Sequence, residues 1–223
     1  MCGRWTLTLD KKTVEESFHA TLPDDYQPRY NIAPTQQVPI LRSDNKDFTN
    51  ASWGLIPSWS KDDKIAFKTI NARAESLLEK PAFKIPFQKK RCLIPADSFY
   101  EWKKTPQAKL PYRFVLNSRG IFAFAGIYDE RLINNERSTS FSIITVEPNS
   151  IVKPIHTRMP AILLPEQHTQ WLTENNPEKL LAFLKPYPSN LMESYPVSSL
   201  VNSPKNDTIE VIKPLSQLNK FFT

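Results

Sequence analysis

The feature that most constrains the fold of this chain is a run of strand-forming segments between residues 91 and 146. β-Branched and aromatic residues are frequent there, in short stretches separated by polar residues, which is typical of β-structure. The regular alternation of strands and helices found in nucleotide-binding folds is absent, as are the G-x-G-x-x-G and P-loop motifs. The strands predicted in this run are 91–94, 99–103, 112–117, 121–128 and 141–146, with a hairpin turn at Ser118-Arg119-Gly120.

Shorter elements flank this run on both sides. Asp10 is placed to cap a helix, and Pro177 suits the first turn of another. The chain has 20 prolines but only 4 glycines, which indicates stiff, extended connections. These features predict an α+β fold: a single domain, residues 1–223, around a mostly antiparallel sheet with peripheral helices. The other predicted elements are strands 4–9, 37–42, 51–56, 159–164, 197–201 and 209–212, helices 11–20, 71–79, 166–174 and 177–184, and an irregular segment 23–34.

Composition narrows the function classes. The net charge of +6 and the pI near 9.2 are compatible with a polyanionic partner but do not require one. Apolar runs such as 121–128 are too short to span a bilayer, and no signal peptide is visible. The two cysteines, Cys2 and Cys92, lack the spacing of a disulfide framework or a metal site. We therefore expect a cytoplasmic protein with reduced thiols and no membrane contact, metal or cofactor.

Cys2 directly follows the initiator methionine. If Met1 is removed, Cys2 carries a free α-amine and a thiol on adjacent carbons, with ordinary pKa values of about 8 and about 8.5. Such a 1,2-aminothiol condenses with an aldehyde to a Schiff base, and the thiol then closes a five-membered thiazolidine ring. The alternative is that Met1 stays and Cys2 is a small buried residue at the start of the first strand.

Three polar groups are candidates for accompanying chemistry. Asn71 and Arg73 lie at the start of a predicted helix, where they would cap it and pair on its surface, or else orient a substrate oxygen or the Cys2 amine and bind a phosphate. Glu101 lies between aromatic residues, either in a pocket that raises its pKa or on an exposed face. His156 is beside Arg158 in a non-helical segment, which suits a general acid or base near an anion, although a lone histidine is more often structural.

Tryptophan is a further candidate for function. Trp53, Trp59 and Trp102 either pack in the core or form a surface that stacks on nucleic-acid bases beside nearby arginines. Cys92 precedes an apolar stretch and is predicted to be an inert buried thiol.

Taken together, these segments resemble the SRAP family, the "SOS response-associated peptidase" domain, whose members crosslink covalently to abasic sites in single-stranded DNA. The resemblance extends from residue 2 to about 207, in the family's order. Ser98 stands where a glycine is usual, Thr157 where an aspartate is usual, and 203–205 differ from the common spacer. The matching stretches are Met1-Cys2-Gly3-Arg4, residues 28–35, residues 53–59, residues 71–75, residues 91–102, Phe124-Ala125-Gly126, residues 156–160, Val201-Asn202 and Asn206-Asp207.

The resemblance implies a barrel-like sheet and a role for each matching residue. Cys2 would be the nucleophile, through its amine first and its thiol second, and Asn71 would position that terminus and the opened sugar. Glu101 would be the general acid or base, and His156 would assist the same proton transfers. Thr145 matches a threonine near the family's site. The DNA contacts would be phosphate binding by Arg4, Arg73 and Arg158, stacking by Trp59 as a wedge, and a further contact by Asn31.

The favoured hypothesis is a monomeric DNA-damage response protein that forms a thiazolidine with abasic sites in single-stranded DNA. Its activity would be lyase-like and largely single-turnover, in the cytoplasm or, in a bacterium, at the nucleoid. The second hypothesis is an N-terminal-nucleophile cysteine peptidase that removes Met1, with the Cys2 amine as its own base. The third is a non-catalytic module that binds single-stranded DNA through basic and aromatic residues.

Overall fold

The computed structural model describes residues 2–133 and 135–218. Within these ranges the chain forms strands and short helices around two sheets. The strands are β1 (Trp5–Leu7), β2 (Arg29–Ile32), β3 (Gln37–Arg42), β4 (Phe48–Trp53), β5 (Asn71–Arg73), β6 (Arg91–Ala96), β7 (Ser98–Lys104), β8 (Lys109–Leu116), β9 (Phe122–Ile133), β10 (Glu136–Val146), β11 (Met159–Pro160), β12 (Ile162–Leu163) and β13 (Met192–Pro196). The α-helices are α1 (Lys11–Phe18), α2 (Pro81–Lys89), α3 (His168–Thr173), α4 (Pro177–Phe183) and α5 (Leu215–Leu218).

The larger sheet closes into a barrel. Its strands follow the order β10-β4-β3-β6-β9, and β9 pairs with β10 again to complete the ring. The β10–β4 pair is parallel, whereas the other pairs of the ring are antiparallel. Strands β5, β11 and β12 extend this sheet at its margins. The predicted α+β class with a mostly antiparallel, barrel-like sheet is confirmed.

The second sheet is antiparallel, in the order β13-β8-β7-β1-β2. The shortest of its connections to the barrel is a single residue, Asp97, because β6 ends at Ala96 in the barrel and β7 begins at Ser98 in the second sheet. The carboxylate of Asp97 accepts hydrogen bonds from the Thr6 hydroxyl and from the backbone N–H and hydroxyl of Thr8. The junction is thereby fixed to β1.

The main core lies inside the barrel and between the two sheets. Trp5 of β1 makes edge-to-face contacts with Trp53 and Phe124 of the barrel, at ring-centroid distances of 6.3 and 5.9 Å. Cys2 belongs to this core. A smaller apolar cluster on the other face of the second sheet is formed by Tyr100, Val197, Val201 and Val211.

The helices cover the outside of the sheets. Asp10 caps α1 as predicted, since its side chain accepts from the Thr13 N–H. Helices α3 and α4 lie within the two predicted ranges, and Trp171 of α3 donates its indole N–H to the Cys92 carbonyl of β6. No helix in the described ranges is long and apolar enough to cross a membrane.

The predicted hairpin at residues 118–120 is wrong. Strand β8 pairs with β7 and β13 in the second sheet, whereas β9 pairs with β6, β10 and β12 in the barrel. The turn therefore carries the chain from one sheet to the other. A hairpin turn and a turn between two sheets have the same local sequence signature. Which of the two forms depends on the strands with which the flanking segments pair, and these are distant in sequence.

The helix predicted over residues 71–79 is also wrong. Residues Asn71–Arg73 form β5, which pairs in parallel with β10, and only a 3₁₀ turn, Ala74–Ser76, follows. The helix of this region, α2, comes later and contains Pro86. The segment 23–34 was expected to be irregular but includes β2.

The predicted C-terminal strands are 3₁₀ turns instead. Ser199–Asn202 and Ile209–Ile212 each form such a turn, and the actual strand, β13, precedes them. One valine of each turn, Val201 and Val211, is buried with Tyr100 in the smaller cluster, whereas Leu200 and Ile209 are exposed. Their hydrophobic pattern reflects side-chain packing rather than pairing in a sheet.

Candidate active site

A cleft of about 430 Å³ opens where the N-terminal segment, β7 and the loop after residue 155 meet. It brings together three of the predicted site residues, Arg4, Glu101 and His156, from distant parts of the sequence. The residues that line it are Gly3, Arg4, Glu101, Trp102, Lys104, Lys109, His156 and Asn202.

Cys2 is fully buried just ahead of β1. The side-chain amide of Asn71 donates a hydrogen bond of 2.8 Å to the Cys2 carbonyl oxygen. Asn71 has this position because β5 is held against β10, with Asn71 opposite Ile143. The helix-capping interpretation of Asn71 is therefore wrong, and its side chain is used to hold the Cys2 backbone.

The Cys2 thiol is kept in its neutral form. Burial raises its pKa far above the ordinary value, and the nearby negative charge of Glu101 raises it further. The thiol lies 3.9 Å from the Arg4 carbonyl oxygen, to which it can donate. Cys92, the other cysteine, is also fully buried with a raised pKa, in agreement with the prediction of an inert thiol.

Glu101 is buried, with 3% of its surface exposed, so the interpretation as an ordinary exposed glutamate is wrong. Strand alternation puts it on the face opposite Tyr100 and Trp102, whose rings are 6.5 Å apart against the smaller cluster. Desolvation raises the pKa of the Glu101 carboxyl to about 7. The group therefore populates both its acid and its base form at neutral pH.

His156 lies next to this carboxyl, with its Nε2 3.7 Å from Glu101 Oε2. Its Nδ1 is 3.1 Å from both the backbone nitrogen and the backbone oxygen of Arg158. Nδ1 can thus accept from the N–H when unprotonated and donate to the carbonyl when protonated. Partial burial and the positive charge of Lys104 lower the pKa of His156, whereas the contact with the Arg158 backbone raises it.

Arg4 forms one wall of the cleft and is itself buried. Its Nη1 donates to Asn31 Oδ1 at 2.7 Å and to the Val201 carbonyl at 2.6 Å, and its guanidinium lies over the Trp102 ring at 5.9 Å. Burial lowers the pKa of Arg4. The side-chain amide of Asn31 donates to carbonyls of the segment 201–206, so Asn31 is occupied with protein contacts and its predicted DNA contact has no support in this geometry.

Two buried side-chain oxygens, Asn71 Oδ1 and Thr145 Oγ1, have no hydrogen-bond partner among the described residues. Their residues lie on adjacent strands, because Asn71 pairs with Ile143 and Thr145 with Arg73. Unsatisfied buried oxygens are rare in folded proteins and call for an explanation such as a bound water or ligand. Arg73, beside them, is exposed.

The remaining predicted DNA contacts differ in their surroundings. Arg158 is buried, and its guanidinium is bound by the carboxylates of Glu75 and Glu147 at 2.8–2.9 Å, so phosphate binding by Arg158 stays a prediction without geometric support. Trp59 is 62% exposed, as a stacking residue would be. Trp53, in contrast, is buried and donates its indole N–H to the Ile70 carbonyl, which makes it a core residue.

The sequence interpretation missed Lys104, Lys109 and Asn202 as cleft residues. The Lys103-Lys104 pair was visible shortly after Glu101, but nothing local indicated that Lys109 returns opposite Lys104 in β8. Asn202 accepts the indole N–H of Trp102 at 2.7 Å across a separation of 100 residues. Among residues 2–133 and 135–218 there is no group of three or more His, Cys, Asp and Glu that could hold a metal ion.

Glu101, His156 and cationic side chains line the cleft, whereas the neutral thiol of Cys2 is buried beside Gly3 and does not line it. Glu101 can give and take a proton near pH 7, and His156 is close enough to share that task. Such a site suits proton transfer to an oxygen of a substrate bound in the cleft.

Comparison with known proteins finds relatives that match nearly the whole chain. A sequence model of the family described as "SOS response associated peptidase (SRAP)" matches residues 1–204. The "Abasic site processing protein YoqW" of Bacillus subtilis is 46% identical over 222 residues, covering 96% of this chain and 99% of that protein. The "Abasic site processing protein HMCES" of Gallus gallus is 34% identical over 225 residues, covering 85% of this chain and 67% of that protein.

Solved structures agree at the level of the fold. The crystal structure of a Bacteroides thetaiotaomicron protein superimposes with a TM-score of 0.88 at 30% identity, over 96% of this chain and 100% of that one. A Bordetella bronchiseptica protein at 23% identity shares the fold with a TM-score of 0.79, over 88% of this chain and 100% of that one. This chain therefore belongs to the SOS response associated peptidase (SRAP) family.

Proposed function

We propose that this protein processes abasic sites in single-stranded DNA by attaching itself covalently to them through Cys2, once Met1 has been removed. The names of its relatives, abasic site processing proteins, support the substrate class. The observation that carries the chemistry is the placement of Cys2, held by Asn71, within the electrostatic reach of the buried Glu101. The protein would act in the DNA-damage response.

The first step is opening of the sugar. An abasic deoxyribose is mostly a closed hemiacetal, and its ring oxygen must receive a proton for the C1 aldehyde to form. Glu101 in its protonated form supplies that proton, and its carboxylate form takes the proton from the C1 hydroxyl. Because its pKa is about 7, both forms are present under the same conditions.

The second step is Schiff-base formation. The α-amine of Cys2 attacks the C1 aldehyde, the carbonyl oxygen leaves as water, and a carbon–nitrogen double bond remains. Loss of that oxygen needs a proton donor, a role for Glu101 with assistance from His156 at 3.7 Å. The backbone contacts of His156 Nδ1 suit both protonation states of the ring.

The third step is ring closure. The Cys2 sulfur adds to the imine carbon, and the thiol proton ends on the nitrogen, so the thiazolidine forms without loss of further atoms. A thiol held neutral by burial and by Glu101 is suited to add after the amine rather than before it. Addition of the thiol therefore stabilises the covalent link between the protein and the DNA.

The DNA strand itself would be bound by basic side chains at its phosphates and by aromatic stacking on its bases. Arg4 on the cleft wall and the exposed Arg73 beside Asn71 would contact phosphates, and the exposed Trp59 would stack on a base. The net charge of +6 adds a general attraction for DNA. Binding is therefore expected to weaken with added salt as counterions are released.

The raised pKa of the Cys2 thiol disfavours a peptidase that acts on other proteins. A cysteine peptidase needs a thiolate or a base that creates one, whereas burial and the Glu101 charge both keep the Cys2 thiol protonated. If the purified protein removed the N-terminal methionine from an added peptide, the peptidase hypothesis would be favoured instead.

Intact-mass spectrometry and denaturing electrophoresis test the proposal. The wild type should lack Met1, and an abasic oligonucleotide should add its own mass minus one water. Cys92→Ala, which removes the other buried cysteine, should crosslink like the wild type, whereas Cys2→Ala should yield no heat-stable product. A protein with an uncleaved residue ahead of Cys2 should be equally inactive. A Cys2-independent product, or none with the wild type, would contradict the proposal.

A further inference from the structure

Two lysines face each other at the mouth of the cleft. Lys104 ends β7 and Lys109 begins β8, and the two are direct partners in the antiparallel ladder. The turn between them is closed by three hydrogen bonds between Thr105 and Ala108, at 2.9, 2.9 and 3.0 Å, so the two backbones are held in register. Both side chains are exposed and line the cleft together with Glu101 and His156.

This pairing is unfavourable in the protein alone. Like charges placed directly opposite each other on neighbouring strands destabilise a sheet. Within the part of the chain that the structure describes, no ion pair or hydrogen bond of either ammonium group compensates for it. Other surface lysines, such as Lys11, Lys90 and Lys213, do have carboxylate partners. A ligand that carries negative charge would relieve the repulsion.

The position of the pair relates it to the reacting groups. The charge of Lys104 acts on His156, which itself is 3.7 Å from Glu101. Arg4 lies on the wall of the same cleft. A DNA strand whose abasic sugar reaches Glu101 would therefore bring a neighbouring phosphate near Lys104 and Lys109.

We propose that Lys104 and Lys109 together form a phosphate-binding clamp for the DNA backbone next to the abasic nucleotide. This inference rests on the proposed function, because it takes the occupant of the cleft to be a DNA strand. The clamp would hold the strand in register with Glu101. Its binding energy comes from charge alone, so it acts on intact and abasic strands alike.

The test is the salt dependence of binding to an intact single-stranded oligonucleotide, which requires no crosslinking. Each lost phosphate contact should reduce the slope of log K against log salt by about 0.7 for a single strand. Lys104→Gln with Lys109→Gln should therefore lower the slope by up to about 1.4. The matched control is Lys12→Gln with Lys103→Gln, which removes the same charge from exposed lysines outside the cleft and should leave the slope unchanged.

Thermal unfolding checks that the variants fold, and the two single substitutions carry the test if the double variant does not. Equal slopes for the cleft pair and the control pair would overturn the clamp, as would a wild type that does not bind single strands. The two proposals fail separately: a wild type that crosslinks while both slopes stay equal contradicts only the clamp. A wild type that never crosslinks, but whose slope depends on Lys104 and Lys109, contradicts only the covalent chemistry.

Discussion

The burial of Glu101 links the chemistry of the site to the stability of the fold. Its pKa of about 7 means that the native protein keeps this proton to higher pH than the unfolded chain, where the ordinary value is 4.5. The native state therefore binds more protons between pH 4.5 and 7, and its stability falls as the pH rises through that window. A carboxylate suited to proton transfer is thus a destabilising group at neutral pH.

Glu101→Gln removes this titration while keeping the shape of the side chain. We expect the variant to be more stable than the wild type by about 3 kcal/mol at pH 8, and by only ~1 kcal/mol at pH 5. Urea unfolding at the two pH values measures the difference. Glu16→Gln, on the exposed side of α1, is the control and should show no such trend. A stability gain that is equal at both pH values would contradict the raised pKa. The same variant should crosslink slowly, since its amide cannot transfer a proton.

At the scale of elements, the junction between β6 and β7 determines how the two sheets meet. Asp97 accepts from Thr8 N at 2.6 Å and from the Thr8 hydroxyl at 2.5 Å, and Arg113 Nη2 lies 3.8 Å from its carboxylate. Thr8 directly follows β1, and Cys2 and Arg4 lie in the segment just ahead of that strand. The Asp97 carboxylate therefore connects the end of β6 in the barrel, the second sheet and the N-terminal segment.

Asp97→Ala leaves these buried donors and Arg113 without their acceptor. We expect a loss of about 3 kcal/mol in the free energy of unfolding, and a smaller loss for Asp97→Asn, which keeps one acceptor oxygen. The midpoint of urea unfolding measures both. If Asp97→Ala unfolds at the same urea concentration as the wild type, the junction does not depend on this residue.

The sequence predicted elements well where local and global preferences agree. Strand β3 has the predicted bounds, and Asp10 caps α1, because alternation and capping are local. The prediction failed where the secondary structure depends on a partner distant in sequence. An example is β5, which is a strand only because β10 lies beside it. The turn after β8 failed for the same reason, since the strands on its two sides belong to different sheets.

The candidate site was predictable in its residue types but not in its geometry. Glu101 and His156 were identified from their neighbours in sequence and from the family resemblance, and they do meet, at 3.7 Å. Lys109 was missed because only the register of β7 and β8 brings it to the cleft. Arg158 was expected to bind phosphate, but the position of Glu75 and Glu147 around its guanidinium could not be read from spacing.

At the scale of the whole molecule, the N-terminal segment is held by both sheets. Trp5 belongs to the second sheet by hydrogen bonding but inserts its ring between barrel residues. Arg4 is bound to the Val201 carbonyl in the C-terminal part of the chain. The placement of Cys2 therefore depends on the barrel, the second sheet and the segment after β13 together.

We therefore expect the chain to unfold as a single cooperative unit, as a one-domain protein does. Trp5, Trp53 and Trp171 are buried in the main core, whereas Trp102 is packed against the smaller cluster of the second sheet. Urea unfolding followed by far-UV circular dichroism and by tryptophan fluorescence should give coincident transitions. Trp102→Phe is the control, because it removes the reporter of the smaller cluster on the second sheet and leaves those of the main core. An early fluorescence step in the wild type that disappears in Trp102→Phe would show that the second sheet unfolds first, and would contradict a single domain.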